Sequence, residues 1–143
     1  MDVNAVIENF KNVVTKHYVD FHGRARRREF WWYVLVIVIL SVIAYVIDRL
    51  LGMQIVSALL TLALLLPNLA VSVRRLHDVG KSGWWILLPL APWLCMIAFF
   101  FMFQWTLAMV FGVVTLATWV LLIWWYAQPG TAGQNKYGPD PKK

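Results

Sequence analysis

The chain has 143 residues, of which 61% are hydrophobic and 14% charged, whereas a soluble domain is nearer half apolar and a quarter charged. The excess lies in long uncharged runs, the mark of membrane spans rather than of a large soluble core. The single cysteine, Cys95, excludes an intramolecular disulfide and a CxxC metal site, and the net charge of +6 invites a test for nucleic-acid binding, taken up below.

Residues 3–18 carry Val3, Val6, Ile7, Phe10, Val13, Val14 and Tyr18 at three- and four-residue spacing, with most polar residues off that stripe. The spacing predicts an amphipathic helix, lying in the membrane interface with its apolar face in lipid or docked against another chain. Gly23 breaks it. The first apolar run starts after residue 29 and is too long for the core of a signal peptide, so no cleaved leader is expected. The predicted spans are 30–47, 55–73, 84–103 and 105–126. Asp48, Arg49 and Gly52 form the first turn, and Leu76 to Gly83 a loop with Asp78 and Gly80 as turn formers. The apolar stretch from Trp84 to Ala127 would measure roughly 65 Å as one helix, twice the hydrocarbon thickness. It must fold back, and Gln104-Trp105 is the natural point. Residues 128–143 form a Pro/Gly-rich tail, predicted to be loop-like.

Tryptophan pairs at 31–32, 84–85 and 124–125 each stand where an apolar run meets a basic or polar stretch. Indoles prefer the headgroup level, and Lys and Arg cluster on the cytoplasmic side of spans. Of the 13 Lys and Arg, Arg49 alone falls on the opposite side of this topology. Both termini are therefore expected to be cytoplasmic, in a multi-pass integral membrane protein. Basic residues flanking spans act as topology signals and contacts to anionic headgroups, which sets nucleic acid aside.

Three segments could carry chemistry. The first runs from Phe21 to Trp32 and contains Arg24, Arg26, Arg27, Arg28 and Glu29. Arginines beside aromatic rings can grip phosphate oxygens bidentately and stack on indoles; the plain alternative is a stop-transfer anchor. A carboxylate at the membrane edge wants a partner. Arg26, Arg74 or Arg75 could serve Glu29, and coupling to Arg75 would join the first segment to the second. That second segment runs from Arg74 to Trp85. Its Gly80-Lys81-Ser82 imitates the end of a phosphate-binding loop, but position 75 holds Arg where that motif needs Gly, and no strand precedes it. His77-Asp78 could be half of an acid–base pair or metal site, but sequence neighbours do not naturally converge on one ion. The third set, Pro67-Asn68, Ser72, Pro89 and Pro92, lies within the spans. Each proline frees a carbonyl one turn back, at Ala63, Trp85 and Leu88. No ionisable residue falls mid-span, as ion-coupled transporters usually require.

The pattern at Phe21 to Trp31, the run Arg-Arg-Leu-His-Asp-x-Gly-Lys-Ser-Gly-Trp-Trp at 74–85, and Pro-Gly-Thr-x-Gly-x-Asn-x-Tyr-Gly-Pro-Asp-Pro at 129–141 resemble one family. It is that of the small bacterial inner-membrane proteins typified by YhaH and YhaI, a domain of unknown function, number eight hundred and five. The resemblance covers roughly residues 18–141. It implies location and fold and gives no mechanism. It also implies a polar assembly on the cytoplasmic side, with the tail lying across the other two loops and Asn135 and Tyr137 as its hydrogen-bonding groups.

The sequence thus predicts one all-α membrane domain of four transmembrane helices with an N-terminal interfacial amphipathic helix. The function expected is non-enzymatic, with no cofactor and no metal: a binding or accessory protein for anionic lipid headgroups, a protein partner or further copies of itself. Arg24, Arg27, Arg28, Arg74, Arg75 and Lys81 would supply positive charge, and Glu29, His77, Asp78, Asn135 and Tyr137 a structural polar network. The alternatives are a small oligomeric channel or transporter, and a lipid-headgroup enzyme using His77 and Asp78.

Overall fold

The computed structural model describes residues 2–142; Lys143, counted above among the basic residues, lies outside them. The elements are α1 (Val3–Thr15), α2 (Arg27–Leu51), α3 (Ile55–Asp78), a 3₁₀ segment (Gly83–Leu87), α4 (Leu90–Phe101) and α5 (Trp105–Ala127). Four stretches are long and apolar enough to cross a membrane: Arg27–Leu51, Ile55–Asp78, Gly83–Phe101 and Trp105–Ala127. The all-helical, four-span reading with a preceding amphipathic helix therefore holds.

The helix ends differ from the predicted spans for physical reasons. Asp48 and Arg49, read as a turn, are helical, and α2 stops only where Gly52 takes a positive φ of 71° as its C-cap. Asp48 instead reaches forward to cap α3. Its two carboxylate oxygens accept from the backbone amides of Val56 (2.8 Å) and Ser57 (2.9 Å), two donors that have no partner inside the first turn. At its other end α3 runs past Val73 to Asp78, so Arg74, Arg75, His77 and Asp78 are helical rather than looped. The expected continuous third span is divided. Pro89 has no amide hydrogen to give Trp85, and the Leu88 amide donates to the Trp85 carbonyl instead (3.0 Å), closing a 3₁₀ turn ahead of α4. Pro67 likewise frees the Ala63 carbonyl, which accepts from the Tyr18 hydroxyl.

α2 and α3 form one hairpin and α4 and α5 another. The buried cluster of Val13, Ala25, Phe30, Tyr33, Val71, Leu76, Leu122 and Tyr126 lies towards a single end of the bundle, where Phe30 meets Tyr126 with ring centroids 4.6 Å apart. Beyond it α4 buries no side chain fully, and its outward faces suit hydrocarbon. The stripe of α1 is divided. Val6 and Val13 are buried, and Phe10 stacks on Tyr33 of α2 at 5.7 Å, while Val3 and Ile7 stay exposed. Docking on the chain's own α2 thus takes half of a face expected in lipid.

A candidate site welded from three distant segments

The end of the bundle that holds the buried cluster also gathers the linker before α2, the C-terminus of α3 and the tail after α5. α1 ends at Thr15, short of the predicted residue 18 and well before Gly23; Gly23, at a φ of 78°, turns the linker towards α2 instead. The Ala25 amide then donates to the Arg74 carbonyl (3.0 Å) and pins the linker to α3. This brings Arg24 to Asp78, 54 residues away, with Nε at 3.0 Å and Nη2 at 2.9 Å from Oδ1. Arg75, one turn before Asp78 on α3, takes the other carboxylate oxygen, Oδ2. The side chains of Arg24, Arg75 and Asp78 are 1%, 0% and 0% exposed.

Two guanidiniums around one carboxylate leave a net positive charge in a buried place, and backbone carbonyls absorb it. Arg75 donates to Tyr126 (3.0 Å), Ala25 (3.3 Å) and Gln128, and Arg24 to Gly133 (2.6 Å), Gly138 (3.4 Å) and Thr131. The Tyr126 carbonyl belongs to the last turn of α5, where the helix dipole is negative. The tail is fastened in return: the Thr131 amide donates to the Asp78 carbonyl at 2.7 Å. Gly130 lies so close to Asp78 that a Cβ there would stand 2.0 Å from Oδ2, so only glycine fits. Further along, Asp140 accepts from the amides of Lys142 and Gly133 at 3.0 Å each; these bonds hold its carboxyl below the usual aspartate value.

Glu29 pairs with Arg74 (Oε1 to Nη1, 2.9 Å), which corrects the coupling expected with Arg75. Successive helical residues point about 100° apart; Arg74 faces α2 and Arg75 faces the tail. The Arg74 side chain is 4% exposed, and its Nε and Nη2 have no protein partner. Asn9 of α1 donates to the Glu29 carbonyl at 3.0 Å and ties the amphipathic helix to the same place. His77 donates through Nδ1 to the Gly23 carbonyl (3.1 Å), accepts the Asn135 side chain on its own carbonyl (3.0 Å), and stacks flat on Tyr137 with centroids 3.9 Å apart. Tyr137 thus joins the assembly through its ring rather than as the hydrogen-bonding group expected.

The predicted cationic set therefore divides. Arg24, Arg74 and Arg75 are buried, Arg24 and Arg75 fully engaged by protein groups and Arg74 through Nη1 alone, and none can meet a headgroup without opening the assembly. Arg27 donates to the Ala127 carbonyl (3.3 Å), Arg28 lies 4.6 Å over the Trp32 ring, and Lys81 lies 4.8 Å over that of Trp125. Arg27 and Arg28 are exposed and Lys81 half-buried. Arg26, Arg27, Arg28 and Lys142 line a cleft of about 260 Å³ together with Pro129 and Gly130. Lys142 was not among the expected residues, because its place depends on the fold of a tail without side-chain periodicity. Asp78, sealed between two arginines, is in no position to exchange a proton with a substrate. Among the described residues no three His, Cys, Asp or Glu side chains converge on a possible metal position.

Residues 18–139 match the family described as "Protein of unknown function (DUF805)". Two similar curated proteins of Escherichia coli K12 are the inner membrane proteins YhaH, 36% identical over 90% of this chain and 93% of its own length, and YhaI, 37% identical over 90% and 92%. The uncharacterised protein YiiR of the same organism is 36% identical over 85% of each chain. No solved structure matches the chain.

Proposed function

We infer the function of this chain from the premise that it belongs to the DUF805 family, polytopic inner-membrane proteins without an established activity, so that only its own residues can say what it binds. It is a non-enzymatic binding protein whose welded end faces the cytoplasm and holds the phosphate of an anionic lipid. Arg26, Arg27, Arg28 and Lys142 grip that phosphate in the cleft beside the tail. The observation that carries this reading is the division of the arginines. Three are buried and held by protein groups, while the cleft gathers four cationic side chains with no Asp or Glu among its described lining residues. Guanidiniums in such a group suit phosphate oxygens, and an interfacial position supplies them. The bias of Lys and Arg towards this end supports the cytoplasmic orientation.

The test uses the full chain in nanodiscs of mixed phosphatidylglycerol and phosphatidylcholine, with the retained lipid identified by native mass spectrometry. The wild type is expected to retain phosphatidylglycerol preferentially, and less so at high salt. The triple change Arg27→Gln, Arg28→Gln and Lys142→Gln should abolish the preference without changing the thermal midpoint. A preference that survives it refutes the cleft. Reporter fusions after residue 142 and at Gly80 should read cytoplasmic, and one at Gly52 external; a periplasmic signal from the tail overturns the orientation.

A further inference from the structure

A second cavity opens on the far side of His77 from the arginine cluster. It holds about 590 Å³, within the usual size of small-molecule sites. Leu69, Val73 and His77 of α3 form one wall, the 3₁₀ segment with Trp84 and Leu87 another, and Phe21, His22 and Tyr137 close the top. The two walls are held at a fixed spacing. Gly83 sits directly on α3, where a Cβ would come within 2.6 Å of Val73 Cγ1.

The cavity has a direction. Leu69 and His77 lie two turns apart on α3, ~12 Å along the axis. The Leu69 end is apolar. The opposite end offers the imidazoles of His22 and His77, the Ser82 hydroxyl and Tyr137. His77 has Nδ1 bound to the Gly23 carbonyl, which leaves Nε2 as a hydrogen-bond acceptor. Among the described residues no Asp, Glu, Lys or Arg lines this space, in contrast to the cationic cleft on the other side. Trp84, at the apolar–polar boundary, is 80% exposed, as an indole at headgroup depth would be. The space therefore runs from headgroup level into the hydrocarbon layer and changes from polar to apolar along that path.

We propose that this groove takes one hydrocarbon chain of a neutral membrane lipid with a free hydroxyl, of the diacylglycerol or long-chain alcohol class. The chain lies along Leu69, Val73 and Leu87. The hydroxyl meets the His77 and Ser82 end, whose lining side chains hydrogen-bond a hydroxyl and include no Lys or Arg; Lys136 lies over the Tyr137 ring at 4.9 Å and not in the lining. The site is separate from the cationic cleft and does not depend on what that cleft binds.

The experiment uses the full chain in phosphatidylcholine nanodiscs with a monoacylglycerol carrying a diazirine in its acyl chain, irradiated and mapped by peptide mass spectrometry. Labelling is expected to concentrate on peptides containing Leu69, Val73 and Leu87. Excess unlabelled diacylglycerol should suppress it about tenfold, and phosphatidic acid should not. Leu87→Trp fills the groove from the 3₁₀ segment and Leu69→Trp fills it from α3; either variant that keeps the wild-type thermal midpoint should lose the label. Labelling spread evenly over all lipid-facing helices, or unchanged in both tryptophan variants, overturns the groove. Equal competition by phosphatidic acid overturns the neutral headgroup.

Discussion

The two ends of this helical bundle solve the same problem in opposite ways. Each must close polar groups at the edge of a membrane. At the far end the solution is local: two tight reversals, at Gly52 and at Phe103 with a φ of 58°, and one carboxylate, Asp48, capping the next helix through an amide only 8 residues on. At the welded end the solution is long-range. Asp78 is met by Arg24 across 54 residues, and Arg24 reaches tail carbonyls 107 to 114 residues away. A local cap can be lost without disturbing the other helices. A buried charge that three segments share cannot, because whichever partner is removed leaves the others unpaired in a place without water. At the far end each reversal closes its own hairpin alone; the welded end holds both hairpins, the linker and the tail in a single arrangement.

The comparison breaks most sharply at Asp78. Asp78→Ala leaves Arg24 and Arg75 buried without their carboxylate, and the cost of such an orphaned pair is about 3–5 kcal/mol. The expected outcome is a large fall in the thermal midpoint in detergent, together with tail cleavage by trypsin, since the Thr131 and Gly130 contacts depend on the same end of α3. A variant with wild-type protease resistance in the tail would mean that the carbonyls alone hold the arginines.

Next in size is the pair that ties α2 to α3. Glu29→Ala and Arg74→Ala should each destabilise the chain, and the double variant should lose less than the sum, with a coupling of about 0.5–3 kcal/mol. The same cycle with Arg75 in place of Arg74 should show a smaller coupling, because Arg75 faces the tail and Asp78. Equal coupling in the two cycles would dissolve the distinction between neighbouring arginines.

That distinction marks where the sequence stops being legible. The spans follow from the apolar runs, since length and composition suffice for them. The convergence of the Phe21–Trp32, Arg74–Trp85 and tail segments follows from topology and resemblance. What the chain alone did not disclose is the rotation of α3 about its axis, which decides whether Arg74 or Arg75 meets Glu29. Nor did it disclose how far α3 extends. Arg75 and Asp78 stand at a helical i, i+3 spacing, which could have signalled continuation past Val73, but Asp78 and Gly80 also suit a turn. The tail was harder still, for its ligands are mostly carbonyl oxygens, which every residue carries. The stripe of α1 was ambiguous for another reason: packing on α2 and lying in lipid require the same apolar spacing.

At the far end, Asp48→Ala removes the acceptor of two first-turn amides of α3 and should cost about 0.5–2 kcal/mol, the range for a lost helix cap. Tail proteolysis and the Arg24–Asp78 contact should be untouched. Asn at position 48 should recover part of the loss, since its amide oxygen still accepts. If Asp48→Ala releases the tail, the two ends are coupled and their contrast fails.

The smallest effect separates exposed from buried ion pairs within the welded end itself. Ahead of the knot, Asp20 accepts from His17 Nδ1 at 2.7 Å. That hydrogen bond, with the His22 amide adding to it and slight burial opposing, holds the Asp20 carboxyl below its ordinary value. A carboxyl whose folded-state pKa is depressed contributes stability that is complete above the unfolded value, about 3.9, and is lost as pH falls through the folded value. Asp20 and His17 remain more than a third exposed, so solvent screens the pair and its contribution is small. The thermal midpoints of wild type and Asp20→Asn should therefore differ slightly but measurably near pH 6, and the difference should shrink towards zero as the pH falls below the ordinary aspartate range. The tail should stay protected from an acid-active protease across the step that erases the Asp20 difference, because its anchors, Arg24, Arg75 and Asp78, make no hydrogen bond with Asp20. A tail released in the same step that erases the Asp20 difference would show that the exposed pair gates the buried one, and the separation between local and shared pairing would then have to be redrawn inside this end of the bundle.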